Sequence, residues 1–451
     1  MKINDEIIVK IEKLTFGSLG LSRVGEEKFV VFVPKSLPDE VLKIKIVSLN
    51  KHFAKGEIIE ILEKSKNRIK PICPIYNACG SCDFQICDLD YSVFQKTSIL
   101  KDIFNNVIDE NKIYDVIKTS DLNYRHKVQF QARQTKNSKR ILLGYFKPNS
   151  HNLTNVKFCP MQPEIVNEIS RYIRENFPLD CFDEITHKGI LKNVLFRISS
   201  FDGSVLLNFV LNLKENELEK YLSKISKFSY KLKENFENVK SIYINLNPKK
   251  TNKILGEKDI KILGDDFIIE TLKDKKFKIG PTSFFQVNPK GASALFDVVL
   301  DNVKENSTIL DAYGGVGAIG IYLKEKAKKI TLVEENKNAI KMAKENFKLN
   351  NIENYEILEG DATKHLLNFK KENLKFDYVV LDPPRSGLEK EGLETLASLA
   401  KNIIYVSCNP QTLKRDIIFL KEKGFEAKFI QGVDMFPHTH HIESVAILEK
   451  A

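Results

Sequence analysis

Hydrophobic and polar positions divide the first part of the chain into two regions with different periods. In residues 1–62, apolar and polar positions alternate in short runs such as "EVLKIKIVSL", and breaks containing glycine or proline separate the runs. Several short alternating strands at near-regular spacing predict a small closed or nearly closed β-barrel. Residues 63–272 mix strand-like runs such as "HKVQFQAR" with helical ones such as "PEIVNEISRYIRENF", which predicts an α+β domain.

The pattern changes again over residues 273–451. Apolar strand-like runs now alternate with amphipathic helical segments such as "NKNAIKMAKENFKLN". The runs are "STILDAY", "KITLVEEN", "YEILEGD", "FDYVVLDPP", "NIIYVSCNP", "FEAKFIQGV" and "ESVAILEK". Strands that alternate with helices predict an α/β domain with a mostly parallel, Rossmann-like sheet that is covered on both faces. Ligands of such sheets bind beyond the carboxyl ends of the strands.

Composition agrees with a multidomain globular protein and restricts its environment. The 451 residues are 42% hydrophobic and 29% charged, and 70 Lys and Arg residues against 60 Asp and Glu give a net charge of +10. This modest excess favours a polyanionic partner, although the basic residues of the barrel could equally form a solvated face. No stretch approaches the length of a membrane span, and the start carries acidic residues where a signal peptide needs an apolar run. We therefore expect a cytoplasmic protein with no membrane partner.

A glycine turn follows the first strand of the third region. "ILDAYGGVGAIG" places Asp311 at the strand end, and Gly315–Gly320 fits the G-x-G-x-x-G pattern of nicotinamide-dependent dehydrogenases. An acidic residue directly before the glycines would repel a pyrophosphate. Later strand ends add Glu334, Asp361 and Asp382 around the same crevice. A cofactor with a sulfonium, an amino group and no phosphate fits these carboxylates, so we predict S-adenosylmethionine.

The dipeptide Pro383–Pro384 that follows Asp382 indicates a stiff, exposed backbone at the sheet edge. Methyltransferases acting on exocyclic amines place an aromatic residue after such a dipeptide, where it stacks on the target base. Arg385 occupies that place here, which argues against amine methylation.

A cysteine at the end of the next strand is a candidate nucleophile. Carbon 5 of uracil becomes nucleophilic when a thiolate adds to carbon 6, and a base must later remove the carbon-5 proton. Cys408 ends the strand after the one that carries Asp382, so both residues open onto one crevice. The start of the last strand supplies Glu443 as the leading candidate base, with His438 and His441 nearby.

Six further cysteines lie outside the third region. An odd total number, clustered along the chain, is a poor disulfide framework, and in a reducing compartment it favours metal binding. "CPIYNACGSC" contains Cys73, Cys79 and Cys82, and Cys159 is available as a fourth ligand. Four thiolates suit either a tetrahedral zinc ion or an iron–sulfur cluster, and the spacing leaves both open.

Five motifs together resemble the RNA uracil-5-methyltransferase family over essentially the whole chain: "FFQVNP", "DAYGGVGAIG", "LDPPRSG", "SCNPQTLKRD" and "DMFPHTHHIES". The resemblance implies Cys408 as nucleophile and Glu443 as base. It places four residues at the S-adenosylmethionine: Gln286, Tyr313, Glu334 and Asp382. Asp361 fits the adenine position of this cofactor, where family members vary. It implies a [4Fe-4S] cluster on Cys73, Cys79, Cys82 and Cys159, with Cys87 and Cys181 outside it.

The same resemblance implies the domain organisation and the substrate. Residues 1–62 resemble the OB-like TRAM barrel, an RNA-binding module. The barrel and the cysteine cluster resemble the subgroup that methylates 23S ribosomal RNA, because the transfer-RNA enzyme lacks both. The alternative is a non-catalytic RNA-binding or ribosome-assembly protein that retains the methyltransferase fold. The intact pair of Cys408 and Glu443 weighs against that alternative.

Overall fold

The computed structural model describes residues 1–135, 139–147, 150–249 and 253–451. Residues 1–63 form a six-stranded sheet in the order β1-β5-β6-β4-β3-β2. Its strands are β1 (Glu6–Lys10), β2 (Lys13–Thr15), β3 (Leu19–Val24), β4 (Phe29–Pro34), β5 (Val41–Leu49) and β6 (Phe53–Glu63). In β5, Leu42, Ile44 and Ile46 are fully buried while the lysines between them face outward, as the alternation predicted.

A connecting segment then leaves the barrel and joins the C-terminal part of the molecule. It contains helix α1 (Leu89–Phe104), a 3-10 turn (Glu110–Lys112) and strand β7 (Ile113–Ile117). Helix α1 begins at Asp88, whose carboxylate accepts a hydrogen bond from the Tyr91 amide at 2.7 Å. Strand β7 pairs in parallel with the strand Phe425–Val433.

This pairing corrects the position that the sequence suggested for β7. The mixed pattern of residues 63–272 predicts one central α+β domain, but β7 is the eighth strand of the C-terminal sheet. The apolar side of α1, including Leu100 and Phe104, packs into the core of that sheet with Tyr405. Local periodicity cannot reveal such a partner, because it identifies a strand and leaves its neighbour undetermined.

A second sheet forms the centre of the molecule. Within the described residues its order is β10-β9-β8-β11-β12-β13-β14. The strands are β8 (Lys127–Gln134), β9 (Ile141–Phe146), β10 (Leu153–Asn155), β11 (Leu191–Ile198), β12 (Val205–Leu211), β13 (Val239–Leu246) and β14 (Lys258–Gly264). Helices α2 (Glu164–Asn176) and α3 (Glu219–Asn235) bury their apolar stripes on one face of this sheet, and a 3-10 turn (Glu215–Glu217) precedes α3.

The C-terminal part begins with a hairpin and continues as alternating helices and strands. The hairpin is β15 (Ile268–Leu272) and β16 (Lys275–Ile279). The helices are α4 (Pro289–Asp301), α5 (Ala318–Tyr322), α6 (Lys337–Leu349), α7 (Ala362–Lys371), α8 (Lys390–Leu399) and α9 (Pro410–Glu422). The strands are β17 (Ser307–Ala312), β18 (Ala327–Glu334), β19 (Tyr355–Glu359), β20 (Phe376–Leu381), β21 (Ala400–Ser407), β22 (Phe425–Val433) and β23 (Glu443–Lys450).

These strands form the predicted α/β sheet, with one antiparallel insertion. Its order in the described part of the chain is β19-β18-β17-β20-β21-β23-β22-β7. The first five strands are parallel, and β23 runs antiparallel between β21 and β22. Large apolar cores cover both faces, so the carboxyl edge of the parallel strands remains as the place for a ligand. Among the described helices, none is long and apolar enough to cross a bilayer.

Candidate active site and cysteine cavity

Three residues that the sequence singled out meet at one edge of the C-terminal sheet. Asp382 directly follows β20, Cys408 directly follows β21, and Glu443 is the first residue of β23. The antiparallel register pairs Ser407 with Ser444, so Cys408 and Glu443 are the next two residues across the same ladder. The topology therefore brings the candidate nucleophile and the candidate base side by side.

Glu443 is a buried carboxyl group, only 6% exposed. The pKa of Glu443 is raised to about 8, chiefly by burial and secondly by the negative charge of Asp382, while the positive charge of Arg385 opposes both. A carboxyl group with a pKa near neutrality can accept a proton and later release it at physiological pH. Its environment suits a general base.

Cys408 is half-buried beside the same charges. Burial raises the pKa of its thiol, and the charges of Glu443 and Asp382 act in the same direction. Arg385 lowers it, through its positive charge and through a hydrogen bond to the cysteine. Among the described side chains that shift the pKa of Cys408, Arg385 is the one that favours the thiolate. In the sequence, Arg385 argues against amine methylation, and its place after the Pro-Pro dipeptide is the signal that could have indicated a role at the crevice.

The start of helix α9 holds the loop that carries Arg385. Asn409 caps the helix by accepting a hydrogen bond from the Gln411 amide, and its Nδ2 donates to the Arg385 carbonyl at 3.3 Å. Thr412 Oγ1 donates to the same carbonyl at 3.2 Å. Arg415 Nη2 donates to the Ser386 carbonyl at 3.0 Å. These contacts explain why the motif "SCNPQTLKRD" carries so many polar side chains after its cysteine.

The glycine turn lies at the end of β17, beside two carboxylates. The Gly320 amide donates to Asp311 Oδ2 and the Gly315 amide donates to Glu334 Oε2, both at 2.9 Å. Gly317 has φ +82°, and a Cβ there would lie 2.7 Å from Phe347 Cε2, so glycine is required. Asp311 is 1% exposed, and its Oδ1 has no hydrogen-bond partner among the described residues.

The unpartnered oxygen of Asp311 is informative, because a buried carboxylate normally has its hydrogen bonds satisfied. Burial raises the pKa values of Asp311 and Asp382 to about 7. A cationic ligand with N–H or O–H donors would lower both pKa values and complete the bonding of Asp311. The crevice fits the cationic, phosphate-free cofactor that the sequence predicted.

Tyr313 directly follows β17 and Asp361 follows the turn after β19, both at the carboxyl edge of the sheet, whereas Gln286 lies in the loop before α4. Burial raises the pKa of Tyr313, a hydrogen bond from Thr363 lowers it, and the charge of Asp361 raises it, so these side chains are neighbours. Asp361 also caps α7, accepting from the Lys364 amide at 2.9 Å. Gln286 is half-buried in the loop before α4.

Four cysteines line one cavity next to the central sheet: Cys73, Cys79, Cys82 and Cys159. Burial raises the pKa of Cys82 to about 12 and that of Cys159 to about 11, and neighbouring thiolates add to both shifts. Arg125 also lines the cavity and lowers the pKa of both thiols, and its Nε has no hydrogen-bond partner among the described residues. Cys87 and Cys181 are buried elsewhere.

The cavity therefore combines four thiols with a positive charge, a donor set that fits an anionic metal–thiolate group. In the described part of the chain, no three His, Cys, Asp or Glu side chains are arranged to hold a single metal ion. The identity of a metal group at the cysteines accordingly stays a prediction.

Comparisons with known proteins identify the family and the fold of this chain. A family model described as tRNA (uracil-5-)-methyltransferase matches residues 90–451, and a TRAM domain model matches residues 2–59. An uncharacterized RNA methyltransferase of Fusobacterium nucleatum is 37% identical over 100% of this chain and 97% of its own length. An uncharacterized RNA methyltransferase of Oceanobacillus iheyensis is 34% identical over 99% of this chain and 96% of its own length.

A solved structure extends the similarity to the whole fold. The tRNA (uracil-54, C5)-methyltransferase of Pyrococcus abyssi, in complex with S-adenosyl-L-homocysteine, superposes with a TM-score of 0.74 and 26% identity. The superposition covers 98% of this chain and 99% of that one. The fold and the acidic crevice define an S-adenosylmethionine-dependent RNA methyltransferase of the uracil-5 type. The chain belongs to the tRNA (uracil-5-)-methyltransferase family, with a TRAM domain at its N-terminus. The dehydrogenase considered from the glycine pattern is therefore wrong.

Proposed function

We propose that this protein methylates carbon 5 of a uridine in 23S ribosomal RNA through a covalent intermediate on Cys408. The observation that carries the proposal is the adjacency of Cys408 and Glu443 across the β21–β23 ladder, with Arg385 beside both. Bound S-adenosylmethionine supplies an electrophilic methyl group. Asp311, Tyr313, Glu334, Asp361, Asp382 and Gln286 are the residues we propose to hold it.

The protein groups act in two stages. The Cys408 thiolate, favoured by Arg385, adds to carbon 6 of the uracil and makes carbon 5 nucleophilic. After carbon 5 has been methylated, the Glu443 carboxylate takes the carbon-5 proton. The electron pair of that C–H bond re-forms the double bond between carbons 5 and 6, and the bond between Sγ and carbon 6 breaks. The thiolate is regenerated and the RNA is released.

The choice of 23S RNA rests on the cysteine cavity together with the barrel, which resemble the ribosomal subgroup. The presence of a barrel alone does not distinguish an enzyme that acts on 23S RNA from one that acts on transfer RNA. The P. abyssi transfer-RNA enzyme superposes over 98% of this chain, a share that includes the barrel, so a transfer-RNA enzyme can carry one. The sequence-based argument that transfer-RNA enzymes lack a barrel is therefore wrong as a general rule. Transfer RNA is the second candidate substrate.

We also propose that the cysteine cavity holds a [4Fe-4S] cluster on Cys73, Cys79, Cys82 and Cys159. The four thiols share one cavity with Arg125, whose unpartnered Nε could donate a hydrogen bond to the cluster. Four cysteine ligands would leave no iron open to substrate, so we assign the cluster a structural role. We keep the expectation of a cytoplasmic protein, since its proposed substrate is cytoplasmic RNA.

The decisive experiment maps 5-methyluridine by mass spectrometry in 23S RNA and in transfer RNA from cells with and without this chain. The proposal expects one or more 23S positions to lose the modification when the chain is deleted, and a Cys408→Ala copy should not restore them. Loss confined to transfer RNA would reject the 23S assignment and support the second candidate. Loss at no position in either RNA would favour the non-catalytic RNA-binding alternative.

A further inference from the structure

The loop that leads to Glu443 is held by parts of the chain far away in sequence. Residues 434–442 connect β22 to β23. Asp434, at the start of this loop, forms a fully buried ion pair with Lys96 of α1, with Nζ and Oδ1 2.6 Å apart. Thr119 Oγ1 donates to the Asp434 carbonyl at 2.6 Å, and Tyr124 OH donates to the Pro437 carbonyl at 3.0 Å. The conformation of the 434–442 loop thus depends on residues 96–124.

The residue after Cys82 makes the most extensive of these contacts. The amides of Asp83 and Phe84 both donate to the His438 carbonyl, at 2.8 and 2.9 Å. In return, Asp83 Oδ2 accepts the His440 amide at 3.0 Å and lies 2.8 Å from His440 Nδ1. One carboxylate oxygen therefore binds both the backbone and the ring of His440. This pairing fixes the loop to the cysteine-containing segment.

His440 in turn contacts the next residue of the loop, His441, and the barrel. The rings of His440 and His441 lie 4.2 Å apart, and the Phe16 ring of the barrel meets His440 edge-on at 6.3 Å. The positive charge of Arg385 lowers the pKa values of Cys408 and Glu443 and also that of His441, so His441 lies within range of the same charge. Contacts therefore run from Asp83 to His440 and from His440 to His441, which lies two residues before Glu443 begins β23.

We propose that Asp83 is a positioning residue for the base Glu443 and acts through His440. The proposal rests on the covalent mechanism given above. Cys408 is carried by a different strand end, and α9 holds the loop beside it, so the addition of the thiolate does not depend on Asp83. Transfer of the carbon-5 proton to Glu443, which re-forms the ring double bond and breaks the bond to Sγ, does depend on it. A displacement of about 1 Å can slow a positioned step roughly 10²-fold.

The experiment separates the two stages in a single turnover with a radiolabelled methyl group. It compares the rate at which label enters RNA, whether free or attached to protein, with the rate at which methylated RNA is released. For Asp83→Ala and for His440→Ala, we expect labelling within about twofold of wild type and release slowed by about 10- to 100-fold. The attached RNA should appear as a slow band on a denaturing gel.

A double-mutant cycle tests whether the two residues act as one unit. If the effect runs through the pair, Asp83→Ala combined with His440→Ala releases RNA no more slowly than either single variant. Unchanged release in both single variants would overturn the proposal. A double variant slowed by the product of the two single effects would also overturn it.

The controls address folding, metal content and the underlying activity. Asp90→Ala removes an exposed carboxylate that pairs with Lys118 on the surface, and it should leave both rates unchanged. Iron content and S-adenosylhomocysteine affinity are measured for every variant. If Asp83→Ala loses iron, the test uses two other variants. His440→Ala leaves the sequence of the cysteine segment unaltered, and Asp83→Asn keeps the shape of the side chain. A wild-type protein that makes no 5-methyluridine would contradict the proposed function and would be distinguishable from a failure of this inference.

Discussion

Replacing Glu443 by Gln should arrest the reaction after methyl transfer. Glu443 is 6% exposed with a pKa of about 8, so at pH 7 roughly nine-tenths of it carries a proton and is neutral. Glutamine has the same size and the same neutral charge as this dominant form. The variant should therefore fold and bind both substrates, and any loss of rate reports on proton transfer alone.

The expected loss can be estimated from the role of the group. A positioned general base is worth about 10²–10⁴ in rate, so release of methylated RNA should slow by that factor while its attachment to Cys408 persists. On a denaturing gel, the variant should give a slow RNA-dependent band that requires S-adenosylmethionine. In the wild type, the release rate should rise about tenfold from pH 7 towards pH 9, as the ionised fraction grows from about one-tenth to about nine-tenths.

A near-normal release rate in Glu443→Gln would refute this reasoning and direct attention to the neighbouring histidines. His441 is the stronger alternative, because burial and the charges of His440 and Arg385 lower its pKa to about 4 and keep it neutral at pH 7. His438 Nε2 is engaged 2.6 Å from Asp121 Oδ1. A release rate that is flat between pH 7 and pH 9 would contradict the assignment of the titrating base.

Three further predictions concern the metal, the barrel and the cofactor. Protein purified without oxygen should absorb broadly at ~400 nm. The Cys159→Ser variant should lose its iron, whereas Cys181→Ser should keep it. Stoichiometric zinc in the wild-type protein would reject the iron–sulfur cluster. Lys51 and Lys55 are exposed on the barrel, so changing both to Gln should lower the slope of log affinity for RNA against log salt by about 1.4–1.8. Lys43→Gln, whose lysine already pairs with Glu6, should leave that slope unchanged, and equal slopes in all three proteins would show that this face does not bind phosphates. Gly317→Ala should destabilise the protein by about 1–3 kcal/mol, because alanine is strained at φ +82° and its methyl group would clash with Phe347. The same variant should bind S-adenosylhomocysteine more weakly, as calorimetry can measure. Unchanged affinity would show that the glycine turn does not shape the cofactor site.

Periodicity was sufficient to predict the strands of the C-terminal sheet, and strand ends indicated which candidate residues lie together at one edge. Each of the seven apolar runs became a strand, from β17 to β23. Asp382 and Cys408 could be placed at one edge because residues at the carboxyl ends of parallel strands share that edge. The direct adjacency of Cys408 and Glu443 depends on the antiparallel insertion of β23 between β21 and β22, a non-local choice that no local pattern encodes.

The features that the sequence did not reveal are contacts between distant segments. The pairing of β7 with β22, the buried pair of Lys96 and Asp434, and the bonds from Asp83 to His440 each join residues more than 300 positions apart. Arg385 was visible in its motif, but its effect on Cys408 and Glu443 depends on how α9 folds its loop back. Such long-range contacts arise from tertiary packing, and a single sequence gives no signal for them.

The covalent bond between Cys408 and the uracil can be tested directly by one measurement. RNA carrying 5-fluorouridine at the mapped site has no carbon-5 proton for Glu443 to remove, so the methylated ring should remain attached to the protein. Proteolysis and mass spectrometry of this complex should identify the peptide that contains Cys408, with a mass increased by the methylated fluoronucleotide. A nucleotide attached to any other residue, or no attachment by a protein that does methylate ordinary uridine, would contradict the account.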